Sequence, residues 1–205
     1  MKKIYRAIIP MLFALSLPFS AGAYDLSSVL QEMGSSSVVI YTVYIGAEAS
    51  GVVSNFSKEQ GWITDMDEKT GEVMIWRKEK NAPPRGILAQ SLRLETAPTL
   101  AGLREGYHSL PYLRFRTISS YALKNEFVSY TDAARMYSAL QKSLVYQSGL
   151  PVRADSALAA PQASSFSCRT VWEYEYGIRS TLSLSAERKG DHTVYAVAIH
   201  RHRTS

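Results

Sequence analysis

Between residues 178 and 188 the chain alternates cleanly. Ile178, Leu182, Leu184 and Ala186 take one parity, and Arg179, Thr181, Ser183, Ser185 and Glu187 take the other. A period of two is the signature of a strand, and the apolar/polar split means one covered face and one wet face. Antiparallel sheets allow that, whereas parallel sheets are buried on both sides. Lys189-Gly190-Asp191 then makes a turn into a further strand at 192–201, and 166–176 precedes as a third. The end of the chain is therefore predicted to be a three-stranded antiparallel meander.

The strongest helical signal lies at 131–148. Ala133, Met136, Tyr137, Leu140 and Leu144 form an apolar stripe, with Arg135, Ser138, Gln141 and Lys142 opposite. Thr131 is the expected N-cap, and Gly149 and Pro151 supply the stop. Two shorter helices are predicted. One follows Asp25 with Leu26, Val29, Leu30 and Met33; the other starts at Pro98 with Leu100 and Leu103 and closes at Gly106.

Residues 38–45 read as a buried strand, 87–94 as another and 112–121 as extended, while 46–61 is ambiguous between a poor helix and a connection. Residues 62–76 read as a β-hairpin turning at Glu68-Lys69-Thr70-Gly71. If Asp67 faces Glu72, Met66 faces Val73 and Thr64 faces Ile75. An Ala/Ser/Pro-rich loop is expected over 150–165. The predicted class is α+β: a mostly antiparallel sheet packed by one long helix and two shorter ones.

The first 23 residues bound the cellular address. Lys2, Lys3 and Arg6 precede an apolar run over 7–19, and Ala21-Gly22-Ala23 offers a small-residue cleavage site. This is the build of a secretory signal peptide, and the run is too short to span a bilayer. The expectation is a signal at 1–23, one α+β domain at 24–205, no later transmembrane segment, and a periplasmic or secreted location. Three of the 23 basic residues and none of the 18 acidic ones lie in that leader. The positive excess left to the rest is small, so no nucleic-acid partner is expected. A single cysteine excludes an internal disulfide.

Several constellations invite chemistry. Cys168 shares its strand parity with Thr170, Trp172, Tyr174 and Tyr176, a setting that disfavours a thiolate. That aromatic row could also be a stacking platform, although core packing is the commoner use. His200 and His202 point the same way and could grip a metal, but their place near the terminus favours a solvated tail. His192 shares their parity but stands too far along the strand to be a third ligand. Asp65 and Asp67 resemble a calcium loop only faintly, because Lys69, Thr70 and Trp76 occupy positions that need other residues. Glu173 and Glu175 form a carboxylate pair of the kind used in glycoside hydrolysis. No GxSxG, SxxK or Gly-rich phosphate motif is present, and no cofactor or metal is expected.

The most basic local stretch is 77–86, read as an exposed, Pro-stiffened loop. Its cations Arg77, Lys78, Lys80 and Arg85 are the expected binding residues. Together these point to an exported, non-catalytic protein that binds another protein or envelope component, such as an assembly factor or a toxin-neutralising protein. The rival expectations are an envelope hydrolase or transferase acting on glycan or peptidoglycan through Glu173 and Glu175, and a binder of a small apolar ligand.

Overall fold

A computed structural model describes residues 43–57, 61–67, 70–78, 80, 86–104, 110–155 and 166–204. The leader, the helix expected after Asp25 and most of the strand expected at 38–45 lie outside these residues. Eight strands are described: β1 (Ile63–Met66), β2 (Val73–Lys78), β3 (Ala89–Pro98), β4 (Arg116–Phe127), β5 (Arg153–Ala154), β6 (Phe166–Tyr174), β7 (Ile178–Lys189) and β8 (His192–Arg203). They form one antiparallel sheet in the order β1-β2-β3-β4-β8-β7-β6-β5. The helices are α1 (Ala49–Ser57), α2 (Leu100–Arg104) and α3 (Tyr130–Ser148), with 3-10 turns at Leu110–Phe115 and Glu175–Gly177.

The sheet is two meanders whose last strands meet. Each meander grows from its own outer edge toward the middle, and β4 pairs with β8 from Ser120↔His202 to Phe127↔Tyr195. The predicted α+β class and C-terminal meander are both present. The β1–β2 hairpin has the expected register, Met66↔Val73 and Thr64↔Ile75, with the Asp67 N–H donating to the Glu72 carbonyl at 2.9 Å. Gly71 closes that turn at φ +79°, and an added Cβ would stand 2.6 Å from Arg116 Nη2. Only glycine suits both the backbone conformation and the space there.

One sheet face is covered. Ile75, Leu92, Tyr121, Val197, Leu182 and Trp172 point inward from six strands and join one continuous buried cluster. α3 lies on this face through its predicted apolar stripe, since Ala133, Met136, Tyr137, Leu140 and Leu144 are all buried. α1 completes the cover with Val52 and Phe56, turning the ambiguous 46–61 stretch into a short helix. Phe56 meets Trp62 edge-on at 5.1 Å between ring centroids.

Several boundaries differ from expectation. The α3 cap is Ser129, not Thr131: Ser129 is extended (φ −96°, ψ 124°) and its Oγ accepts the Asp132 N–H. Tyr130 packs edge-on with Tyr195 at 5.6 Å, a contact in the first turn of a helix that starts two residues earlier than the Thr131 cap implied. Pro98 ends β3 opposite Arg116 instead of opening a helix. α2 starts at Leu100, and both Leu100 and Leu103 are exposed. The segment expected to be extended from 112 coils as a 3-10 turn until Phe115. Residues 43–45 are not a strand. The expected long loop holds β5, which pairs with the outer edge of β6 at Val171 and Thr170.

Candidate functional site

The alternation that buries one face of the sheet gives the other face its own set of side chains. In β2, Val73, Ile75 and Arg77 turn inward, while Met74, Trp76 and Lys78 turn outward. Following the register across the sheet, one outer row runs Met74–Arg93–Ala122–His200–Thr181–Val171–Arg153. The next runs Trp76–Ser91–Lys124–Ala198–Ser183–Arg169, and a third runs Lys78–Ala89–Glu126–Ala196–Ser185–Ser167. The middle of this face is thus floored by small residues, with longer charged side chains standing among and around them.

Those charges are arranged as neighbouring opposites. Arg93 meets Glu72 at 2.6 Å, Lys124 meets Glu126 at 2.6 Å, Lys189 meets Glu126 at 3.0 Å, and Arg179 meets Glu173 at 2.5 Å. Burial pushes the Glu126 carboxyl up, but hydrogen bonds from Lys124 and Lys189 outweigh it and hold the group below the usual carboxylate range. Glu95 accepts a hydrogen bond from Ser120 Oγ at 2.8 Å. Arrayed pairs of this kind contribute little stability, but they present alternating donors and acceptors that can exchange partners with a ligand.

The expected binding cations are divided by the fold. Arg77 is the clear correction: it belongs to β2, is only 7% exposed, and lies 4.5 Å above the Trp62 ring. Its Nε donates to Gln90 Oε1 at 2.6 Å, and Gln90 Nε2 donates to Asn125 Oδ1 at 2.8 Å, making a buried polar row. Its inward parity, shared with Val73 and Ile75, builds this cation into the inner face. Lys78, one residue on, is exposed on the outer face over Trp76. Lys80 is exposed as well, and Arg85 lies outside the described residues.

The carboxylate pair is also separated. Strand alternation stops at Tyr174, so Glu173 closes β6 on the outer face while Glu175 falls in the following 3-10 turn. Glu173 is held by Arg179 through both Nε and Nη2. The aromatic row is not a platform. Trp172 is buried with its Nε1 donating to the Gly149 carbonyl, and Tyr174 lies under Arg201 at 4.9 Å. Tyr176 turns away at φ 62°.

Cys168 is buried, as its parity predicts. Its Sγ lies 3.5 Å from Tyr137 Oη, which shares a 2.7 Å hydrogen bond with Thr170 Oγ1. Burial, with Cys168 adding to it, raises the Tyr137 phenol well above its ordinary range. Burial likewise raises Tyr121, to about 12. Phenols that resist ionisation this strongly act as hydrogen-bonding groups and not as acids at neutral pH.

Sequence reasoning had passed over Arg93, Lys124, Glu126 and His200 as one surface. The period-two pattern was a usable signal within each strand, but the alignment of strands was not contained in it. No protein-family model matches the chain, and no curated protein and no solved structure matches it.

Proposed function

We propose that this is an exported, non-catalytic binding protein that recognises another macromolecule of the cell envelope, and that the outer face of its sheet is the recognition surface. The observation that supports this is the continuity of that face: its rows cross from β2 to β6, with small residues and exchangeable ion pairs set among one another. Such a surface suits a broad polar partner, because the flat floor admits close approach and the paired charges set orientation. Lys78 contributes at one side, and Glu173 with Arg179 at the other. The leader-like first 23 residues support the envelope as the place of action.

The reading is tested by placing a photo-crosslinking side chain at Ser183, in the middle of the outer face, and at Arg135, on the exposed side of α3. Irradiation in the expressing cell is expected to give one discrete adduct from position 183 and none from 135. The adduct should weaken when Lys78→Glu and Arg93→Glu are combined with the probe. Adducts from position 135 alone would overturn the assignment. So would a folded Glu173→Gln/Glu175→Gln protein that loses function while keeping the adduct, an outcome that favours the hydrolase.

A further inference from the structure

His200 and His202 stand on the strand at the centre of the sheet, not on a solvated tail. β8 continues to Arg203 and is paired on both sides, His200 with Ala122 and Thr181, His202 with Ser120 and Arg179. Both imidazoles therefore rise from the outer face on fixed backbone. Their ring centroids are 4.8 Å apart and their planes 29° from parallel. Nδ1 of His202 is buried and has no hydrogen-bond partner among the described residues. A buried ring nitrogen in that position calls for a partner of some kind.

The surroundings favour a cation more than the count of arginines suggests. Arg93, beside His200 in its row, is ion-paired with Glu72, although its charge still acts on His200, and Arg179, across from His202, is ion-paired with Glu173. The Glu95 carboxylate acts on His200 and is hydrogen-bonded by Ser120, the register partner of His202.

We propose that His200 and His202 form a two-histidine clip for a late first-row divalent metal ion, copper(II) in preference to zinc(II), on the outer face of the sheet. Imidazole suits both ions, and copper(II) binds a given nitrogen site more tightly. Metal–nitrogen bonds of about 2 Å require two ligating nitrogens roughly 3 Å apart, so the stacked rings must turn about their side-chain bonds to converge on one ion. Among the described residues no group of three His, Cys, Asp or Glu is placed to hold a metal. The clip is thus a two-ligand, exchangeable site completed by water, unlike a structural cage. It stands independently of the partner-binding reading.

The test is calorimetric titration of copper(II) and, separately, zinc(II) into the purified protein near neutral pH, with electron paramagnetic resonance of the copper complex. Wild type should bind copper more tightly than zinc and show two coordinated nitrogens. His200→Gln and His202→Gln should each weaken copper binding about tenfold or more, while His192→Gln, at the exposed start of β8, should leave it unchanged. His200 is the more exposed of the pair, so His200→Gln, checked by an unaltered thermal melt, carries the test even if His202→Gln disturbs the sheet. A His200→Gln affinity within about twofold of wild type overturns the site. A one-nitrogen spectrum, tighter zinc than copper, or an equal loss in His192→Gln does the same.

Discussion

Arg77 and Lys78 are consecutive in the chain yet stand on opposite faces of the sheet: Arg77 is buried against Gln90 and Trp62, and Lys78 is exposed above Trp76. Two adjacent cations thereby take unrelated roles, one holding the inner layer together and one available to a partner.

Their removal should separate those roles. Arg77→Ala is expected to destabilise by about 2–4 kcal/mol, since it strips a charged hydrogen bond and a ring contact from a site closed to water. Lys78→Ala should fall within about 0.5 kcal/mol of wild type. Urea unfolding of both variants checks this; equal effects would mean that the two residues are not divided by the sheet.

The start of α3 offers a similar contrast. Ser129 supplies the cap, so Ser129→Ala should cost about 1 kcal/mol. Thr131→Ala, inside the helix and exposed, should be nearly neutral or slightly stabilising. Reversed values from thermal melts would restore Thr131 as the cap.

Leu140 is buried beneath α3 while Lys142 is exposed. Leu140→Ala should lower stability by about 2–5 kcal/mol, against a change within about 0.5 kcal/mol for Lys142→Ala. Comparable losses from the two would place the helix on the wrong face.

Cys168 should be silent chemically. Its thiol is buried, so a thiol reagent at neutral pH should modify the native protein far more slowly than the urea-unfolded chain. Cys168→Ala should cost about 1 kcal/mol or somewhat more through the small defect left beside Tyr137. Rapid labelling of the folded protein contradicts this.

Glu126 should govern part of the acid sensitivity. Its folded carboxyl is held below the ordinary range by Lys124 and Lys189. The unfolded state therefore takes up the proton first as the pH falls. The stability the group contributes is present above the unfolded value and is lost on acidification through the folded one. Thermal melts between about pH 7 and pH 3 should show a shallower acid limb for Glu126→Gln than for wild type. Parallel limbs would show that the lysine contacts do not act on folding.

Much of the architecture was legible in local pattern. The stripe Ala133–Met136–Tyr137–Leu140–Leu144 and the alternation across 178–188 each follow from the geometry of a single helix or strand, so neighbours in sequence report their own burial. The Met66↔Val73 register was equally readable, because a tight turn at Gly71 ties the two strands. The exposed Leu100 and the 3-10 turn before Arg116 were not, since short segments carry too few periods to reveal a face.

From the sequence alone came the class of fold, the hairpin, the principal helix, the C-terminal meander and the buried thiol, because each depends on residues a few positions apart. Only the tertiary structure decided that β4 lies against β8, and with it that Arg93, Ala122, His200 and Thr181 share one outer row. That pairing joins residues about seventy to eighty positions apart. A pairing across that separation depends on closing the whole intervening chain, a condition that no local period records. The same long-range closure brought two histidines near the chain's end to the middle of the sheet, whereas Arg77 turned inward because β2 runs on through it in parity with Val73 and Ile75.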